Sequence, residues 1–233
     1  MPATESGLSA GSEDTLALHI PPEWGGSAAG VPRPPAPPGT PAAGAPLDDP
    51  ARWAPADTPA GPFALVPVRP DRDLGRIAGW MNDPAVAAFW ELAGSPEITA
   101  AHLRTQLDGD GRSVPCLGVL AGVPMSYWEI YRADLDPLAR HYRARPHDIG
   151  LHLLIGETGD RSRGLGSVLL RAVADLVLDH HFRCRRVVAE PDLRNIASVA
   201  AFLSGGFRYT EEIALPDKHA ALMVRDRAHR HLL

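Results

Sequence analysis

From residue 61 onward, short apolar runs alternate with helical stripes, and the order of elements can be read from that alternation. Phe63-Ala64-Leu65-Val66-Pro67-Val68 predicts a first strand. Leu74, Ile77, Ala78 and Met81 recur at helical spacing and predict a helix over residues 71–81. Asn82-Asp83-Pro84 breaks it and starts a second, short helix, with Asp83 suited to the cap and Pro84 to the first turn. That helix carries Val86, Phe89 and Trp90; Ser95-Pro96-Glu97 opens a third that runs through Leu103 and Leu107. Residues 114–120 and 125–131 read as two strands, and their close spacing predicts an antiparallel hairpin. Residues 132–147 are polar, with several Arg and His, and read as a surface loop. The run from Asp148 to Gly156 is rich in Leu and Ile and bounded by glycines, as a buried strand would be. A stripe of Leu165, Val168, Leu169, Ala172, Val173, Leu176 and Val177 then predicts a helix to about His180. A strand at 186–190, a helix from Asn195 to Ser204 stopped by Gly205-Gly206, and strands at 207–215 and 220–226 complete the order. The class is α+β, with helices flanking a mixed central sheet of about six to seven strands and one parallel crossover.

The first 60 residues break this pattern. They hold 13 of the 24 prolines and tracts such as Val31-Pro32-Arg33-Pro34-Pro35-Ala36-Pro37-Pro38-Gly39. Such a composition buries too little apolar surface to offset the entropy of ordering. Residues 1–60 are therefore expected to be a mostly disordered arm, and residues 61–233 the folded domain. Within the arm, Thr15 to Ile20 alternates like a short edge strand.

Composition narrows the function further. A formal net charge of −5 argues against a general nucleic-acid binder. The two cysteines, Cys116 and Cys184, are far apart, which fits a reducing compartment and offers neither a disulfide framework nor a metal-ligand pattern. The amino terminus lacks the basic and apolar regions of a signal peptide, and no run approaches membrane-spanning length. The expectation is a cytoplasmic protein without a metal, acting away from membranes.

The candidate chemistry begins after the strand at 148–156, where Arg161-Ser162-Arg163-Gly164-Leu165-Gly166-Ser167 opens a helix. A Gly-rich turn leading into a helix aims backbone N–H groups at one spot, and the helix dipole makes that spot suit a phosphate. No Lys-Ser/Thr pair follows the last glycine, and the spacing is not G-x-G-x-x-G, so neither a P-loop nor a dinucleotide fingerprint is present. The spacing Arg161-x-x-Gly164-x-Gly166 resembles the coenzyme A pyrophosphate loop of the GNAT acyltransferase superfamily. A second piece, Asn195-x-x-Ser198-x-x-x-Phe202-x-x-x-Gly206-Phe207, resembles that superfamily's Asn-x-x-Ala-x-x-x-Tyr-x-x-x-Gly-Phe helix. Phe202 stands where many members carry the tyrosine that protonates the leaving thiolate, and it cannot donate a proton. Further motifs narrow the resemblance to acyltransferases of hydroxamate siderophore assembly, including the mycobactin-type lysine acyltransferases. They are Trp80-Met81-Asn82-Asp83-Pro84, Tyr127-Trp128-Glu129-Ile130-Tyr131, Gly150-x-His152, Val188-x-Glu190-Pro191-Asp192-x-Arg194-Asn195 and Pro216-Asp217-Lys218.

That resemblance implies the GNAT fold, acetyl-CoA or another acyl-CoA as co-substrate, and a small amine or N-hydroxyamine as acceptor. For coenzyme A it implies Leu154, the loop residues Arg161, Ser162, Arg163, Gly164, Leu165, Gly166 and Ser167, and Arg194 with Asn195. It makes His152 the catalytic base, against the alternative of a satisfied core histidine. Asp192 becomes its orienting partner or a contact to the amine, against a turn-capping aspartate. Trp90 and Trp128 are expected in the acceptor pocket unless they belong to the core. Glu129 is either a surface charge or a contact to the acceptor's amino group, and Lys218 either holds the acceptor carboxylate or is solvated. The function implied is transfer of an acyl group to the side-chain amine or N-hydroxyamine of lysine, ornithine or a related diamine, by direct attack within a ternary complex. The rivals are an aminoglycoside 6′-N-acetyltransferase and a non-catalytic domain that binds coenzyme A. A monomer and a homodimer remain equally open.

Overall fold

The computed structural model describes residues 47–231, so the expected strand at 15–20 lies outside the described residues. Among the described residues, eight strands form one sheet: β1 (Ala56–Thr58), β2 (Gly61–Pro67), β3 (Ser113–Leu120), β4 (Val123–Arg132), β5 (Ile149–Ile155), β6 (Arg186–Ala189), β7 (Arg208–Ala214) and β8 (His219–Asp226). Their spatial order is β1-β2-β3-β4-β5-β6-β8-β7. Every pairing is antiparallel except β5 with β6, which the crossover helix α4 (Leu165–His180) joins. Helices α1 (Pro70–Met81), α2 (Pro84–Trp90) and α3 (Pro96–Leu107) precede the hairpin, and α5 (Ile196–Ser204) follows β6. The order expected from the sequence holds, with one strand more than the six to seven foreseen.

That extra strand corrects the boundary drawn near Gly61. β1 pairs with β2, and Trp53 is buried in the same core as Phe63 and Trp128. Its indole stacks on the His180 ring at 4.8 Å, at the end of α4. Proline and alanine dominate the flanking sequence and hide the one large aromatic that repays ordering residues 47–60.

The sheet separates two cores. On one face Leu169, Leu170, Val173, Ala174, Val177 and Leu178 of α4 pack on Trp128, Ile130, Leu151 and Val187. On the other, Ile77, Trp80, Met81 and Leu103 from α1 and α3 pack on Leu117, Tyr127 and Leu154. Alternation along β4 and β5 assigns every residue to one side or the other. The segment 133–148 is more than a surface loop: Leu138, Tyr142 and Asp148 are buried, and Asp148 accepts from Tyr142 Oη, the Arg145 amide and the Arg186 guanidinium.

Candidate active site

The parallel pair β5–β6 has the shortest pairing of the sheet. The two strands pair only at Ile149–Val187 and Gly150–Val188; β5 then continues to Ile155, whereas β6 ends at Ala189. Beyond Gly150 they diverge, and a cleft of about 270 Å³ opens between them, lined among others by Trp90, Glu129, His152, Glu190, Phe202 and Lys218. The Gly156 amide donates to the Met125 carbonyl, and antiparallel pairs alternate, so the His152 and Leu154 amides face β4. The amides of Leu153 and Ile155, beyond the last β5–β6 pair, are left facing the gap. Leu154 is therefore not placed to offer an amide to a ligand, and its side chain lies in the α1–α3 core at 4% exposure. Leu153 takes the position along the open edge that the sequence assigned to Leu154.

His152 stands on the cleft side of β5, opposite Glu129 in the register. Its Nδ1 lies 2.8 Å from Glu129 Oε2 and its Nε2 lies 2.6 Å from Glu190 Oε1. A neutral imidazole would point a lone pair at one of these carboxylates; only the imidazolium satisfies both. Burial alone would lower the histidine pKa, but Glu190 and Glu129 outweigh it and raise it to about 10. Glu190 is held down to about 2 against its own burial by the His152 charge, then by Lys218 and the Tyr131 hydroxyl. Tyr131 Oη donates to Glu190 Oε2 at 2.9 Å, and Lys218 Nζ lies 3.7 Å from Glu190 Oε1. The Tyr131 ring sits 4.8 Å from the His152 ring, directly across from Gly150. A Cβ at Gly150 would come within 2.1 Å of that ring, so glycine is required there by close approach.

Glu129 is the opposite anchor. Its Oε1 accepts from His102 Nε2 at 2.5 Å, Gln106 Nε2 at 2.7 Å and Tyr127 Oη at 2.9 Å, while Oε2 faces His152. Its carboxyl is kept ionised against burial by the two histidines. With four donors it has little capacity left for an acceptor amine, so it holds His152 rather than substrate. The result is a chain of alternating imidazoles and carboxylates, His102–Glu129–His152–Glu190, running from α3 to the end of β6.

Several sequence assignments change accordingly. His152 is in the cleft, but both ring nitrogens are engaged, so it has no free lone pair with which to act as a base. Asp192 borders the cleft without touching His152: it forms a bidentate pair with Arg194, at 2.6 Å to Nη2, and accepts from the Arg194 amide. Glu190, two residues earlier and on the same strand end, takes the partner's place. Arg194 gives its Nε and Nη2 to Asp192 and is otherwise largely exposed. Trp128 is wholly buried on the α4 side, with Nε1 donating to Ser126, because its side chain alternates away from Glu129. Trp90 does line the cleft, edge-on to His152 at 6.0 Å and to Tyr127 at 5.6 Å. Lys218 lines it from the β7–β8 turn, and Asn195 caps α5, its Oδ1 accepting the Ser198 amide. Phe202 borders the same space, at 4% exposure. The sequence reading missed Glu190, His102, Gln106 and Tyr131 as site residues. Glu190 and Tyr131 were within reach, since they fall on the same strand faces as His152 and Glu129; nothing in the α3 stripe marks His102.

The glycine turn lies beside the cleft. Gly164 takes φ 77°, the left-handed region, as the N-cap of α4, and no side chain caps that end. The first-turn amides of a helix lack intrahelical acceptors. With open space around Gly164, this cradle fits a pyrophosphate. Ser167 Oγ donates to the Gly164 carbonyl, and Arg163 is mostly exposed beside the turn. Arg161 does something else: its guanidinium donates to the Ile155 and Gly156 carbonyls and to Asp83 Oδ1. Among the described residues, no group of three His, Cys, Asp or Glu is placed to hold a metal, and no helix is long and apolar enough to cross a membrane.

A family model for an acetyltransferase (GNAT) domain matches residues 69–215. The chain is 36% identical over 168 residues to lysine N-acyltransferase MbtK of Mycobacterium sp. (strain MCS), covering 72% of this chain and 68% of that protein. It is 37% identical over 160 residues to N(6)-hydroxylysine O-acetyltransferase of Escherichia coli, covering 69% of this chain and 50% of that protein. Among solved structures, aminoglycoside acetyltransferase AAC(6')-Ib in complex with coenzyme A superposes with a TM-score of 0.62 at 20% identity, covering 71% of this chain and 95% of that one. The last likeness is one of fold alone.

Proposed function

The chain belongs to the GNAT acetyltransferase family, and on that premise we propose that it is a siderophore-type N-acyltransferase that uses an acyl-CoA to acylate a side-chain amine. The acceptor we assign is the N-hydroxylated side chain of lysine, ornithine or a related diamine. The observation that carries this choice is His152 wedged between Glu129 and Glu190.

The acyl-CoA supplies an activated thioester, and its pyrophosphate is assigned to the amides of residues 164–167. The cleft residues do the rest. His152 and Glu190, which face each other across the cleft, are both moved out of the neutral range that a general base would use, His152 up to about 10 and Glu190 down to about 2. A lysine amine is protonated at neutral pH, its unperturbed pKa being about 10.4, and neither His152 nor Glu190 is poised to deprotonate it. An N-hydroxylated amine is far less basic and arrives neutral. Once its nitrogen has bonded to the acyl carbon that nitrogen becomes strongly acidic, and even the weakly basic Glu190 Oε1 can take its proton. His152 holds protons on both nitrogens and is the cleft's acid in place of the tyrosine that Phe202 replaces. The open-edge amide of Leu153 is the donor assigned to the developing oxyanion.

A side-by-side acyl-CoA consumption assay tests this reading. N-hydroxylysine, N-hydroxyornithine and N-hydroxycadaverine are compared with lysine and kanamycin at pH 7. The hydroxylated amines should react fastest, and the gap to lysine should narrow as pH rises and lysine loses its proton. Equal rates for lysine and N-hydroxylysine at pH 7 would defeat the assignment of the acceptor.

A further inference from the structure

Arg161 belongs to the glycine turn by sequence but points away from it. Its Nε donates to the Ile155 carbonyl at 3.0 Å, its Nη2 to the Gly156 carbonyl at 2.5 Å, and its Nη1 to Asp83 Oδ1 at 2.8 Å. The Asp83–Arg161 link joins residues 78 positions apart in the chain. Asp83 is also the N-cap of α2, its Oδ1 accepting the Ala85 amide at 2.9 Å. Arg161 and Asp83 thus form an ion pair, and the Arg161 hydrogen bond holds the Asp83 carboxyl below the usual range. Helix α2 is two turns long and delivers Trp90 to the cleft wall, against His152 and Tyr127. A second tie runs in parallel: Trp80, in the last turn of α1, packs on Gly156 and donates from Nε1 to Glu157 Oε1 at 3.1 Å.

We propose that Arg161 is a positioning residue that couples coenzyme A binding at the glycine turn to the acceptor wall carried by α2. The proposal rests on the acyltransferase reading above and extends it to the order of binding. The physical basis is the shape of the turn. Ser162, next to Arg161, is held at φ 58°, a left-handed conformation that favours glycine, and Gly164 is held at φ 77°. A pyrophosphate on the amides that follow favours this conformation over extended alternatives. The Arg161 side chain keeps its three partners only while the turn keeps its shape. Filling the turn therefore fixes Asp83, Asp83 fixes the start of α2, and α2 fixes Trp90 over the acceptor space. A ligand shifts such an equilibrium only through its differential affinity for the two arrangements, and the effect must be reciprocal.

The test is calorimetric and needs no turnover. The dissociation constant of N6-hydroxylysine is measured on the full chain with and without saturating coenzyme A, in the wild type, Asp83→Asn and Asp83→Ala. Asp83→Asn keeps a capping side chain for α2 and removes the charge that holds Arg161. In the wild type, coenzyme A should tighten the acceptor by roughly 5- to 150-fold, the usual span of coupling between two sites. In Asp83→Asn each ligand alone should bind within about twofold of wild type while the coupling factor falls toward one, and Asp83→Ala should agree. A damaged fold would weaken each ligand separately; loss of coupling with separate affinities kept is specific to the proposed role. Coupling unchanged in both variants, or a wild-type factor near one, would overturn the proposal and leave the acyltransferase reading intact. Failure of the wild type to bind coenzyme A at all would overturn both.

Discussion

The charge state of His152 gives the most discriminating prediction. Replacing Glu190 by Gln removes a negative charge whose Oε1 lies 2.6 Å from His152 Nε2, and leaves Glu129 at 2.8 Å from Nδ1. Loss of an opposite charge at this range lowers a pKa by roughly 1 to 3. About a third of the His152 side chain faces the cleft, so solvent keeps the change within that span. His152 should then move from about 10 to between about 7 and 9. With both glutamates replaced, burial acts alone and His152 should titrate below its ordinary 6.5. NMR of the protein with labelled histidine, the resonance assigned by its loss in His152→Ala, reads these values directly. The same cluster sets a stability window. The His152 pKa is raised on folding, so its contribution is complete below about 6.5 and lost as pH rises through about 10. The Glu190 pKa is lowered, so its contribution is complete above about 4.5 and lost as pH falls toward about 2. The contribution of this pair should be flat between about 4.5 and 6.5 and should decline on either side, the alkaline decline beginning near 6.5, where the unfolded histidine loses the proton that the folded one keeps. A wild-type His152 that titrates near 6.5 would refute the pinned imidazolium and return this residue to the role of general base.

Two further outcomes follow from packing and from the glycine turn. Trp53→Ala should cost about 3–5 kcal/mol in denaturant unfolding, the usual range for removing a buried Trp, and a chain beginning at Asp57 should fold poorly where one beginning at Leu47 folds well. Gly164→Asp puts a side chain and a negative charge at the open, left-handed N-cap of α4; coenzyme A affinity by calorimetry should fall at least about tenfold, and unchanged affinity would remove the phosphate from this turn.

Much of the architecture was legible because periodicity reports burial. The alternation Leu151, Leu153, Ile155 against Gly150, His152, Leu154 divides β5 between its two cores as the sequence pattern requires. The same rule, carried to β4, separates Trp128 from Tyr127, Glu129 and Tyr131, and it sends Trp128 to the α4 core. Partners across the sheet were harder to read. Nothing local says whether Glu190 or Asp192 meets His152, because that depends on where β5 and β6 diverge. Asp192 follows the strand end, in a turn where its own neighbour Arg194 is the nearest cation. Arg161 misled for a related reason: a phosphate-loop position implies a ligand contact, whereas its length lets it reach back to two carbonyls and to Asp83. The segment 47–60 was lost in the proline count, since composition averages over a stretch and one tryptophan decides whether part of it packs.

The charges in the cleft also bear on the aminoglycoside alternative. A polycationic acceptor needs carboxylates free to receive it, and the cleft-lining acids of the described residues are already engaged. Glu129 accepts from His102, Gln106, Tyr127 and His152; Glu190 from His152 and Tyr131, with Lys218 nearby; Asp192 from Arg194. To bind there, a polycation would have to strip partners from buried ions, and breaking a buried pair costs about 3–5 kcal/mol. It would also meet the His152 imidazolium and Lys218 inside the cleft. A neutral N-hydroxyamine has neither difficulty. Its nitrogen brings no charge to the Glu190–His152 pair, and an acceptor that carries a carboxylate can find Lys218 at the β7–β8 turn. The superposition with an aminoglycoside acetyltransferase thus reports a common scaffold, and the balance of ions in this cleft argues for a small acceptor that is uncharged at its reacting atom.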